Sequence, residues 1–241
     1  MKIVGYSERG LINSLLYEIN FSNNSLQIIN ELLNAITFPL LSVKFNISEI
    51  EILIEQSFSD FGTVDFLFLV NNSGSKQSIF FEAKIVNYSD IFSEFEKFNS
   101  FINGLRQSTS NLFFQIYEKI RLSAEIKNNN FIALHDGIKF PACSRKILRK
   151  IGTRKVVLKA TNELAKFTDT SYFILLVPDD LSSLKNFFEK KLTDFQPKDF
   201  VGWDIKNLGY LNWAKIETIC SKYNLEITLK NFDWNKGIIY K

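Results

Sequence analysis

Val64-Asp65-Phe66-Leu67-Phe68-Leu69-Val70 is a nearly unbroken apolar run. After the turn residues Asn71-Asn72-Ser73-Gly74-Ser75 the chain returns through Ser78-Ile-Phe-Phe-Glu-Ala-Lys-Ile85. Runs this short, rich in aromatic and β-branched residues and bounded by turn formers, read as strands covered on both faces. The Asn-Asn-Ser-Gly turn makes them a hairpin. Residues 50–54 add a third strand before it, with Ile50, Ile52 and Ile54 alternating with more polar neighbours to give one buried face.

Upstream, Leu11, Ile12, Leu15, Leu16 and Ile19 recur at helical spacing behind Ser7, a candidate cap. Ile28, Ile29, Leu32, Leu33 and Ile36 predict a second helix over 25–37, closed by Pro39. Downstream, helices are expected over 90–103, 108–126, 153–167, 181–192 and 212–223. Strands are expected over 131–134, 172–177, 225–230 and 238–240. No repeat, low-complexity tract or Pro/Gly linker divides the chain, so it reads as one α/β domain with a core over 6–180 and a C-terminal α/β elaboration over 181–241.

Composition narrows the chemistry. The chain has 241 residues and a single His, which excludes metal sites built on several imidazoles and leaves oxygen ligands for any metal. Cys143 and Cys220 are far apart and fit neither a redox pair nor a zinc knuckle, so they read as reduced thiols of a cytoplasmic protein. No signal-peptide core or membrane-length apolar run is present. GxxxxGK[ST], GxGxxG and GxSxG motifs are absent too. Residues 1–125 carry a net charge of −5 and residues 126–241 a net +8. That asymmetry suits a cation-holding site beside a surface that attracts a polyanion, and equally suits uneven solvated surface charge.

Three charges interrupt the apolar hairpin. Asp65 lies in the first strand, while Glu82 and Lys84, two apart in the second, share a face. All three fall at the hairpin end opposite the turn, so they can converge. Unpaired buried charges cost several kcal/mol each. A divalent cation between the acids would relieve their repulsion, and a lysine beside it could direct an attacking water. A buried ion network without catalysis satisfies the same pattern.

Asp65, sixteen intervening residues, then Glu82-Ala83-Lys84 on adjacent strands resembles the metal-binding signature of the PD-(D/E)XK nuclease superfamily. The resemblance covers about residues 6–126. It implies a restriction-endonuclease-like mixed central sheet flanked by helices, with Mg²⁺ as cofactor and Mn²⁺ able to substitute. Asp65, Glu82 and the Ala83 carbonyl would then be metal ligands and Lys84 the catalytic lysine. A leading helix often supplies a further Glu in that family, and Glu8 stands there on the inward face of the first helix; a first-turn Glu is also favoured by the helix dipole alone. Exonuclease-like branches carry a Gln on the helix after the third strand, a position matched by Gln115 on the stripe Leu112, Ile116, Lys119 and Leu122, though a surface Gln reads the same way. The family's Pro before the Asp is replaced by Val64. Asp60 is thus a rival for the metal-facing acid, although it suits a turn with Gly62, and Glu55 is a candidate outer member.

Arg145, Lys146, Arg149, Lys150, Arg154, Lys155 and Lys159 place seven cations and no acid in fifteen positions. Such a segment can track a phosphate backbone or simply be a solvated basic helix. His135 reads as a strand-end structural residue. Trp203, Trp213 and Trp234 read as packing. The expectation is a Mg²⁺-dependent nuclease acting on nucleic acid, DNA before RNA, with no membrane partner and a homo-oligomer compatible with the sequence. A catalytically silent binding or assembly module on the same fold is the alternative.

Overall fold

The apolar run forms the centre of β2 (Thr63–Asn72), in which Val64 and Phe66 to Val70 are fully buried. It pairs antiparallel with β1 (Ile47–Ser57) on one side and β3 (Ser75–Ala83) on the other, with Phe66 opposite Phe81 and Leu67 opposite Phe80. β6 (Thr170–Val177) then adds parallel to β3, and β7 (Leu208–Asn212) parallel to β6. The computed structural model describes residues 7–85, 91–103, 111–140, 148–178, 181–187, 189–190 and 204–239. Over these it is an α/β fold whose five-stranded mixed sheet, ordered β1-β2-β3-β6-β7, is flanked by helices. A two-rung ladder of β4 (Ile138–Lys139) and β5 (Leu148–Arg149) stands apart from it.

Strand alternation splits the core into two layers. Phe66, Phe68, Ile79, Phe81, Ile174 and Leu176 face α1 (Glu8–Phe21), α2 (Ser25–Asn34), α8 (Trp213–Tyr223) and α9 (Glu226–Ile239). Leu67, Leu69, Phe80, Phe173 and Leu175 face α3 (Ile91–Ile102), α4 (Leu112–Lys127), α6 (Lys155–Leu164) and α7 (Leu181–Phe187). Aromatic pairs knit the strands, Phe66 stacking on Phe81 at 4.2 Å and Phe80 on Phe173 at 5.2 Å between centroids. α1 buries Leu11, Ile12, Leu15, Leu16 and Ile19 as its spacing foretold, but Ser7 makes no side-chain cap bond. Burial pushes the Cys220 thiol up to about 12, so it behaves as a core thiol.

Three expectations are corrected. Residues 131–134 are not a strand but belong to α5 (Phe131–Asp136), where only Leu134 is buried and His135 is exposed in the last turn. The expected strands at 225–230 and 238–240 are replaced, over the described residues, by the single helix α9. The alternation in Leu225-Glu-Ile-Thr-Leu-Lys230 is overridden because Thr228, Asn231, Phe232, Asn235 and Ile239 form a buried helical stripe. The Glu18 carboxylate of α1 also accepts the Ile227 and Thr228 backbone N–H groups, capping α9 from 209 residues away. Finally, the unexpected β7 is the fifth strand of the sheet. Its Gly209 is required because a Cβ there would stand 2.9 Å from Ile36 and from Phe38.

The chain entering β1 is held by side-chain amides of α2. Asn34 donates to the Phe45 carbonyl at 2.8 Å and accepts the Phe45 N–H at 3.0 Å, and Asn30 makes the same pair of bonds with Ile47. Asn34→Ala removes both partners of Phe45, and each stranded group costs about 1–3 kcal/mol when buried. Asn34 is exposed and the two bonds are only partly buried, so water replaces part of what is lost and the expected loss is about 1 kcal/mol of unfolding free energy, read from the urea midpoint at unchanged slope.

Candidate active site

The rung beyond Phe66 and Phe81 places Asp65 beside Glu82 at the end of the β2–β3 pair. The Ala83 N–H donates to Asp65 Oδ2 at 2.7 Å, which fixes that carboxylate across the two strands. Lys84 continues the ladder through its backbone: its N–H donates to the Leu176 carbonyl at 2.8 Å, and its own carbonyl accepts the indole N–H of buried Trp213 at 2.8 Å. The Lys84 ammonium points to Glu8 Oε2 at 3.7 Å. Glu8 lies in the first turn of α1. Next along the same turn, Arg9 meets Glu55 Oε1 at 3.2 Å, with Glu55 at a φ of 49° on β1. The structure therefore gathers Asp65, Glu82, Lys84 and Glu8, which the sequence sets as far as 76 positions apart, at one end of the sheet.

Glu82 is the odd member. Its side chain is 1% exposed and neither carboxylate oxygen has a hydrogen-bond partner, although Lys119 Nζ stands 3.3 Å from Oε1. At that separation the two are an ion pair whose geometry is poor for a hydrogen bond. Burial pushes the Glu82 carboxyl up to about 7; Lys119 opposes the shift and Asp65 adds to it. Asp65 is also raised by burial, against the Ala83 N–H and the Lys84 charge, and Glu8 is raised by burial against Lys84. Three carboxyls that resist ionisation beside one another are poised to accept positive charge.

Lys119, on the stripe of α4 with Leu112, Ile116 and Leu122, is a site residue that the sequence pattern does not mark, because a lysine there ordinarily carries its amine out to water. Gln115 precedes it by one turn on the same stripe, with Oε1 buried and unpartnered. The rival Asp60 sits in a 3-10 turn, Ser59–Phe61, where its backbone and carboxylate bond Lys150 and its carbonyl accepts from Arg149. It is a member of that turn.

The basic segment divides. Arg145 and Lys146 lie outside the described residues. Arg149 is turned inward, its side chain 12% exposed, pairing with Glu118 Oε1 at 3.5 Å and lying over the rings of Phe114 and Phe140. Lys150, Arg154, Lys155 and Lys159 are exposed.

Among the described residues no three His, Cys, Asp or Glu side chains form a metal-holding group. The donors that do converge, the Asp65 and Glu82 carboxylates, are hard oxygens of the kind Mg²⁺ takes while keeping most of its waters. The orphaned Glu82 oxygens fit such a cation. No helix among the described residues is long and apolar enough to cross a membrane. Comparison with family models, curated proteins and solved structures gives no match.

Proposed function

We propose that the protein is a divalent-metal-dependent nuclease with a restriction-endonuclease-like sheet, hydrolysing phosphodiester bonds of nucleic acid, DNA in first place. What supports this is Glu82: a buried carboxylate with both oxygens lacking a hydrogen-bond partner, next to Asp65 and two residues from Lys84. Asp65, Glu82 and the Ala83 carbonyl would hold Mg²⁺ or Mn²⁺, with Glu8 at the margin. When bound, the ion supplies Lewis-acid polarisation of a phosphoryl oxygen.

The chain's own groups do the rest. Lys84 orients the attacking water and offsets charge growing on the phosphate. Glu8, 3.7 Å from the Lys84 ammonium, steers that amine. The Ala83 N–H holds Asp65 in place, and Gln115 directs its free Oε1 from α4. Exposed Lys150, Arg154, Lys155 and Lys159 would follow the phosphate backbone through counterion release.

One observation favours a second reading. The Lys119–Glu82 pair already neutralises the buried acid, as a catalytically silent binding or assembly module would need. Calorimetric titration with Mn²⁺, run beside incubation with supercoiled and linear DNA in Mg²⁺, Mn²⁺ or EDTA, separates the two. The nuclease takes up Mn²⁺ with micromolar to millimolar affinity and cuts DNA only with metal. Retained DNA binding with neither heat of metal binding nor cutting would establish the silent module.

A further inference from the structure

Lys119 is fully buried. Its amine lies 3.3 Å from Glu82 Oε1 and donates to the Phe61 carbonyl at 2.8 Å. A lysine survives such burial only with charge and hydrogen bonds around it. The chain is shaped to admit it. Gly62 follows Phe61 at a φ of +78°, and a Cβ there would stand 3.0 Å from Lys119 Nζ and 2.9 Å from Glu118 Oε2. The amine and a second buried carboxylate thus flank one point, where only a glycine leaves room. Glu118 is held on its other oxygen by Arg149 at 3.5 Å. Lys119 therefore stands between two acids on separate elements: Glu82 on β3, within the candidate site, and Glu118 on α4, outside it.

Resting on the nuclease reading above, we propose that Lys119 is the resident counter-cation of the site, a positioning residue that neutralises Glu82 in the metal-free protein and yields it to an incoming divalent ion by swinging toward Glu118. The Phe61 carbonyl serves as the pivot, since it partners the amine in either position. Lys119 touches neither substrate nor reacting atoms in this role. It keeps Glu82 aimed at Asp65 until a cation replaces it, and it sets how strongly metal must bind to do so.

Two measurements test this on the full chain. In protein with ¹³C,¹⁵N-labelled lysine, the Lys119 side-chain NMR signal is expected to move as Mg²⁺ is titrated to saturation, with an exposed lysine such as Lys230 as the unmoved control. In Lys119→Met, isosteric but neutral, the Mn²⁺ Kd by calorimetry is expected to fall on the order of tenfold, because a like charge is removed from beside the ligand. Wild-type protein that binds Mn²⁺ and cuts DNA while the Lys119 signal stays still, or a folded variant with unchanged or weaker Mn²⁺ affinity, would overturn the counter-cation role alone. Should Lys119→Met fail to fold, the wild-type NMR titration decides. Wild-type protein that neither binds Mn²⁺ nor cuts DNA would overturn the nuclease reading and this role with it.

Discussion

Lys84→Ala is expected to lower the rate of Mg²⁺-dependent DNA cleavage by about 10³-fold, the scale of a lost proton-directing group, while the protein stays folded. The two outcomes separate because the residue's structural duties belong to its backbone. The ladder bond to Leu176 and the carbonyl bonded by Trp213 are main-chain groups that alanine retains. Only the ammonium is lost, and its contact with Glu8 is a half-exposed pair at 3.7 Å, worth under about 1 kcal/mol. Time courses on linear DNA, with the urea midpoint of the same preparation, check both halves. A folded variant that cuts as fast as the parent would end the assignment of Lys84, and with it the role given to the Glu82-Ala83-Lys84 motif.

The second large effect is on stability against pH. The Glu82 carboxyl is raised from 4.5 to about 7 in the folded chain, mainly by burial. Between those values the unfolded chain has released the proton that the folded chain still holds, so folding is linked to proton uptake. Stability contributed by the neutral acid is present below about pH 4.5 and is lost as pH rises through 7, by roughly 3 kcal/mol, and the curve is level above that. Asp65 and Glu8, raised in the same direction, add to the decline at its acid end. Urea unfolding from pH 4.5 to 8.5 should show the slope in wild-type protein and a much flatter profile in Glu82→Gln. Parallel curves would mean that Glu82 titrates normally. Saturating Mg²⁺ is expected to stabilise the protein more at pH 8 than at pH 6, because the ion competes with the proton for the same oxygens.

Local periodicity carried the fold where one pattern dominated. The inward stripe of α1, the doubly covered β2 and the β2–β3 hairpin were legible in residues 8–83 because each buries the side chains its spacing assigns. Residues 225–239 were not, because Leu225-Glu-Ile-Thr-Leu-Lys230 alternates like a strand while the deciding cap, Glu18, comes from the other end of the chain. β7 escaped because five residues interrupted by Gly209 hold too little pattern, and the reason for that glycine is the approach of Ile36 and Phe38. At the site, Asp65, Glu82 and Lys84 were legible as charges in apolar strands. Lys119 was not, since a lysine on a helix stripe ordinarily extends its stem and leaves its amine in water; here the Phe61 carbonyl and Glu82 hold that amine inside.

The indole of Trp213, 1% exposed and hydrogen-bonded to the carbonyl of Lys84, also gives the molecule an optical gauge of its own. Trp234 is 42% exposed and emits from a wetter setting. A blue-edge component of the intrinsic fluorescence that disappears in Trp213→Phe is expected to be that indole's, and its shift on adding an ion or an oligonucleotide would report displacement of the strand end that carries Lys84 without any attached dye.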